Sequence, residues 1–164
     1  MTFVVPFDGS DLSRTALVRA AKFGAVLEQR VVAVTVIPHE NARYARERGW
    51  LEADEEFDLR NVVATLHEEI TELAPAANFT HQVVDRYAPT GTIARYVRKI
   101  AEEEGATMVF IGSDNAGRVV TSVSSVGSAV ASDRNYDVVI VRRAEPLEID
   151  RIESTPVRER PSSE

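Results

Sequence analysis

Short apolar runs alternate along this chain with stretches in which apolar residues recur every three or four positions. Phe3-Val4-Val5-Pro6-Phe7 is apolar and β-branched and predicts a first strand. Asp8-Gly9-Ser10-Asp11 interrupts it and supplies side chains that cap helices. Leu12, Ala16, Ala20, Phe23 and Leu27 then share one face of a helix. Val31 to Ile37, broken only by Thr35, reads as a strand buried on both faces, and Pro38 ends it. Residues 39–53 are charged and irregular, a long connection with a helical turn of its own and the sole tryptophan, Trp50.

Leu59, Val62, Val63, Leu66, Ile70 and Leu73 form an apolar stripe that predicts a helix from about Asp54 to Leu73. Phe79 to Asp85 alternates and is more polar, which suits a strand at a sheet edge or in a partly solvated position. Pro89-Thr90-Gly91 leads into a helix carrying Ile93, Val97 and Ile100, stopped at Gly105. Thr107 to Ile111 is a fourth strand and Asp137 to Val141 a fifth. Gly112-Ser113 ends the fourth strand, Gly117 follows, and Gly127-Ser128 opens a short helical segment. Five strands alternating with four helical segments predict an α/β three-layer sandwich with a five-stranded parallel sheet.

In such sheets ligands bind outside the carboxyl ends of the strands, where the strand order reverses. Asp8-Gly9-Ser10 and Gly112-Ser113 both stand just past strand ends, and so on that edge. They flank one crevice if the first and fourth strands are neighbours; the residues alone leave the third strand as an alternative neighbour. Glycines let a backbone approach an anion, and free N–H groups at a helix start point towards it. The stretch from Met108 to Ser128 therefore has the chemistry of a phosphate cradle. Blander readings stand beside that one. Asp8 can cap the following helix or fix a turn, Gly127-Ser128 can be an ordinary helix start, Gly112 can make a tight turn, and Thr121, Ser122, Ser124 and Ser125 can be a solvated loop.

Composition narrows the classes. The 164 residues are 44% hydrophobic and 27% charged, in the range of one globular domain. No cysteine is present, which removes disulfide scaffolds and thiolate metal sites. Acidic residues outnumber basic ones 26 to 19, for a net charge of −7, which disfavours nucleic acid as a partner. That acidity fits a salt-adapted surface and an ordinary solvated one equally well. The opening residues lack the pattern of a signal peptide and no run approaches the ~18 apolar residues of a membrane span, so no membrane insertion and a cytoplasmic location are expected. His39, His67 and His81 lack the spacing of a metal site, and the Arg43, Arg46, Arg48 run alternates with Glu47 like a solvated face. Neither a P-loop lysine nor a G-x-S-x-G elbow occurs. Glu145 to Glu164, with three prolines and six acidic residues, predicts a disordered tail from residue 144 onward behind a domain of residues 1–143.

Val4-Val5-Pro6-Phe7-Asp8-Gly9-Ser10, followed by Ser13 and Ala16-Leu17, resembles the opening of the universal stress protein family. The Ile111-Gly112-Ser113 turn, the spacing Gly117-x9-Gly127-Ser128 and the run Val138 to Val141 resemble its end, so the likeness covers residues 3–142. The resemblance implies an adenine nucleotide alpha hydrolase-like sheet of order 3-2-1-4-5, a homodimer through the last strand, and in some members a bound ATP, with Mg or Mn accompanying the nucleotide. Positions matching Pro6, Asp8 and Val36 would surround the adenosine end, with Ile111 and Gly112 nearby. Gly117, Gly127, Ser128 and Ala129 would surround the phosphates.

One feature departs from that pattern. Nucleotide-binding members separate the first two glycines by two residues, whereas Gly112 and Gly117 here are separated by four. The insertion brings in Asp114, whose charge at ~4 Å from a phosphate and an effective dielectric of ~20 would repel by about 4 kcal/mol. A divalent cation between them reverses that sign. The expected function is a non-enzymatic regulatory dimer that binds ATP or a related adenine nucleotide. Alternatives are the same dimer without nucleotide, acting on an unknown protein partner, and a slow Mg-dependent ATPase using Asp8 or Asp114.

Overall fold

The computed structural model describes residues 1–113 and 136–144. Its element order is β1 (Thr2–Pro6), α1 (Asp11–Leu27), β2 (Arg30–Pro38), α2 (Ala42–Glu47), α3 (Leu59–Leu73), β3 (Asn78–Val84), α4 (Thr90–Glu103), β4 (Ala106–Gly112) and β5 (Asp137–Val141). The five strands form one parallel sheet of order β3-β2-β1-β4-β5. All five residues of β1 are buried, as a central strand covered on both faces requires. β3 and β5 are the edges and carry the more exposed patterns, which is why β3 reads as alternating.

Two apolar clusters lie on opposite faces of the sheet. Phe3, Val5, Phe7 and Phe110 meet Leu17 of α1 and Leu66 and Ile70 of α3. Val4, Val34, Val36 and Val109 meet Val97 and Ile100 of α4. Crossovers between parallel strands keep one hand, so moving outward from β1 to β2 and β3 stacks α1 and α3 on one face. Returning from β3 to β4 puts α4 on the other. The chain reverses its direction of travel between β1 and β4, and that is the switch point of the sheet.

Helix boundaries follow their caps. Ser10 begins α1, its hydroxyl accepting from the Ser13 N–H at 3.3 Å. α3 starts at Leu59 rather than near Asp54, because the Asp58 carboxylate accepts from the Arg60 N–H at 3.0 Å and fixes the first turn there. The long connection after β2 contains a six-residue helix, α2, and buries Ala45, Trp50 and Leu51 against the α1–α3 face. The helix expected to open at Gly127 and the tail from Glu145 lie outside the described residues.

The sheet interior contains one polar bond that holds the exit of β1 to β2. Thr35, 1% exposed, donates its hydroxyl to the Phe7 carbonyl at 2.7 Å, beside the Phe7 N–H bond to the Val34 carbonyl at 2.8 Å. Thr35→Val keeps the shape and removes the donor. We expect a loss of about 1–3 kcal/mol in urea unfolding, at unchanged m-value. An unchanged midpoint would show that this bond does not hold the β1 exit.

Candidate functional site at the β1–β4 switch point

The carboxyl ends of β1, β2 and β4 bring together five of the nine positions singled out in the sequence. Pro6, the last residue of β1, is buried opposite Val34. Val36, 5% exposed, stands two positions beyond Val34 on the same face. Ile111 is fully buried opposite Ile140, two residues beyond the Val109 that pairs with Val4. Side chains alternate across a strand, so Pro6, Val36 and Ile111 all lie on the face that carries Val4, Val34 and Val109. They make a buried apolar patch on one face at the strand ends. Gly117, Gly127, Ser128 and Ala129 lie outside the described residues, as does Asp114.

Asp8 is half-buried in the turn that leaves β1. Its carboxylate accepts from the Ser10 N–H at 2.9 Å, and its own N–H points to the Ser13 hydroxyl at 3.4 Å. Gly9 follows at φ +83°, a left-handed conformation that turns the chain sharply into α1. A Cβ there would make ordinary contact with the Arg48 carbonyl at 3.4 Å and the Trp50 indole nitrogen at 3.5 Å, so it is the backbone conformation that favours glycine. Asp8 therefore fixes the turn, as its blander reading held, at the very edge where a ligand group would be met.

Gly112 also has a packing requirement that neither sequence reading included. A Cβ at this position would stand 2.8 Å from the Leu12 carbonyl carbon and 2.9 Å from both the Leu12 Cβ and the Ser13 nitrogen. The residue lets the end of β4 lie directly against the first turn of α1. Beyond it, the Ser113 N–H continues to the Val141 carbonyl at 2.7 Å. Gly112 thus sets the separation of the β4 end from the Asp8 turn, whatever occupies the crevice.

The second bracing group was not foreseen. Trp50, 3% exposed, donates its indole N–H to the Asp8 carbonyl at 2.8 Å. Tyr44 of α2 packs edge-on against that indole, with ring centroids 5.6 Å apart, and the Arg48 guanidinium lies 3.4 Å from the Tyr44 centroid. Asn41 accepts from the Tyr44 N–H at 3.0 Å and donates to the Arg86 carbonyl at 2.8 Å, tying α2 to the turn after β3. Burial pushes the Tyr44 phenol above its ordinary 10.0; Arg48 opposes this, and the negative charge of Asp8 adds to it. Arg43 pairs with Glu47 at 3.1 Å on the solvated face, as the alternating charges suggest, but Arg48 turns inward onto Tyr44. The available signal was the lone tryptophan in an otherwise polar stretch.

Among the described residues no group of three or more His, Asp or Glu side chains is placed to hold a metal ion. No helix among them is long and apolar enough to cross a membrane.

Comparison with known proteins agrees with this architecture. The universal stress protein family matches residues 1–142. A universal stress protein solved in complex with cAMP superposes with a TM-score of 0.56 at 24% identity, covering 87% of this chain and 97% of the other. The protein MJ0577, solved as a test case for structure-based assignment of biochemical function, gives 0.60 at 21% identity, covering 87% and 95%. A universal stress protein from Lactobacillus plantarum gives 0.52 at 17%, covering 87% and 97%. No curated protein matches the sequence.

Gly112→Ala should destabilise the domain by about 1–3 kcal/mol through overpacking against Leu12, measured by thermal or urea unfolding without any ligand. A neutral effect would remove the packing role.

Proposed function

The chain belongs to the universal stress protein family, and from that premise we propose that it is a regulatory protein that binds an adenine nucleotide at the β1–β4 switch point. The observation that carries this reading is the apolar patch of Pro6, Val36 and Ile111, set beside the braced Asp8 turn at the carboxyl edge. A flat apolar base fits such a patch, and the Asp8 carboxylate offers an acceptor to a ribose hydroxyl. The cAMP held by one protein of the same fold supports the choice of ligand class. ATP is the form we propose, with Mg or Mn accompanying the phosphates. Gly117, Gly127, Ser128 and Ala129 are the positions assigned to those phosphates by their family spacing.

The nucleotide acts here as a signal rather than a substrate. Ligand binding shifts a conformational or assembly equilibrium only through different affinities for its two states. The assembly we propose is a homodimer through β5, an edge strand on which Val138 and Val139 are half-buried and Ile140 is 38% exposed. A second reading keeps the dimer without nucleotide and has the protein act by binding a protein partner. Its support is that the Asp8 carboxylate already accepts from the Ser10 N–H and that packing on α1 by itself calls for a glycine at position 112.

Trp50 is the sole tryptophan and its indole is bonded to the Asp8 carbonyl, so its emission reports on this turn. Titration with Mg-ATP, AMP and cAMP, by fluorescence and calorimetry, should give saturable binding. Asp8→Ala should weaken it by at least about 10-fold, or about 1.4 kcal/mol. Asp8→Asn keeps an acceptor for the Ser10 N–H and controls for the turn. Absence of heat and of emission change at millimolar nucleotide would leave the protein-partner reading. For assembly, Ile140→Lys should convert a dimer to a monomer in sedimentation equilibrium; a wild-type monomer at micromolar concentration would refute the β5 dimer.

A further inference from the structure

The sheet ends in two unlike edges. β5 has five residues and begins with a charged one, Asp137. β3 has seven, Asn78–Val84, and contains no acidic residue, lysine, arginine, glycine or proline. It pairs with β2 at every position from Val32↔Asn78 to Pro38↔Val84 without a shift in register. Every residue of it except Val84 is exposed or half-buried. Edge strands are ordinarily blunted by charge, proline or a bulge, because their unpaired backbone groups attract another strand. β3 carries none of these devices.

The Val84 carbonyl accepts from the His39 N–H at 2.9 Å, so the backbone groups of Val84 face β2. These groups alternate between the two sides of a strand, and Phe79, His81 and Val83 therefore present theirs to the outer edge. The side chains of the same three residues share the α3 face of the sheet, where Phe79 packs on the apolar cluster. The Phe79 ring stacks with His81 at 5.8 Å between centroids and with His67 of α3 at 5.9 Å, which holds this end of the edge in place. Among the described residues, the Gln82 amide donates to the Val83 carbonyl at 3.1 Å and so covers one of the outer groups.

We propose that the outer edge of β3 binds a second copy of this chain, antiparallel about a twofold axis at His81. Charge selects that occupant. The chain carries a net charge of −7, so two copies repel over most of their surfaces, and a basic partner is drawn to the acidic ones. β3 neither repels a copy nor offers a carboxylate to a basic partner. The strand is also self-complementary. About this axis His81 meets His81 of the partner copy, and Phe79 meets Val83 of the partner copy, an aromatic–β-branched pair of the kind that stabilises antiparallel strands. No other antiparallel register pairs all three outward residues with one another. Pairing displaces the Gln82 amide from the Val83 carbonyl, which weakens the contact and sets it above the micromolar range. Twofold contacts on opposite edges of one sheet do not close, so copies joined through β5 would be linked into rows by β3. The inference rests on neither the nucleotide reading nor the β5 dimer.

The chain has no cysteine, so single cysteines can report the register. Thr80→Cys, His81→Cys and Gln82→Cys, all at exposed or half-buried positions, are each made in an Ile140→Lys background that removes the β5 contact. Interchain disulfide formation under mild oxidation at submillimolar protein is followed by intact mass. His81→Cys should cross-link at least about 10-fold faster than either neighbour alone, because only position 81 meets its own copy within disulfide reach. A mixture of the Thr80→Cys and Gln82→Cys proteins should form the mixed disulfide faster than either forms its own, since 80 lies opposite 82. Equal rates at the three positions, or a mixed disulfide in statistical proportion only, would overturn the proposal. As a readout without cysteine, the wild-type protein should grow in sedimentation from its micromolar species to larger ones at submillimolar concentration. His81→Lys, an exposed change that sets like charges across the axis, should abolish that growth. A wild type that shows no growth, or a His81→Lys protein that grows equally, would also refute the pairing.

Discussion

The rest of the structure depends on the complete burial of β1. The strand has hydrogen-bonded neighbours on both edges and helices on both faces, so its exit into α1 must be satisfied by fixed groups rather than by water. Thr35 meets the Phe7 carbonyl and Trp50 meets the Asp8 carbonyl, each at under 3 Å. Asp8 in turn holds the Ser10 N–H, and Ser10 begins α1. A buried carbonyl left without a donor costs on the order of 1–3 kcal/mol. The same groups that stabilise the domain thus pre-form the turn where a ligand would be met.

Preorganisation of this kind has a functional consequence. The Asp8 turn is held from one side by α1 and from the other by the connection containing α2 and Trp50. β4 is held against α1 at the separation that Gly112 allows. These contacts fix the ends of β1 and β4 relative to α1, and for the nucleotide site we propose such preorganisation would lower the entropy lost on binding. On the nucleotide reading we propose, the apolar character of Pro6, Val36 and Ile111 at the strand ends would suit a planar base better than a charged group.

Much of this was legible in the residues, for physical reasons. The unbroken apolar runs of β1 and β2 follow from double-sided burial, and the alternation in β3 from its place at an edge. Ser10, Gly105 and Pro38 mark boundaries through capping and backbone geometry. The adjacency of β1 and β4 could not be read from local pattern, because strand order depends on crossover topology; it came through the family resemblance and the sheet bears it out. The role of Trp50 was hidden for a related reason. Its partner, the Asp8 carbonyl, lies 42 positions earlier in the chain, and no short-range periodicity encodes such a contact. Gly112 illustrates a third limit. The glycine was visible, but the tight contact with Leu12 that demands it appears only when α1 is laid on β4.

The most direct test of the account is an amide chemical-shift map recorded while Mg-ATP is titrated into the protein. The largest changes are predicted at residues 8–10, 36–37 and 111–113, the three segments that the sheet brings to one edge. No change at millimolar nucleotide, or changes confined to another surface, would contradict the assignment of the β1–β4 crevice as an adenine nucleotide site.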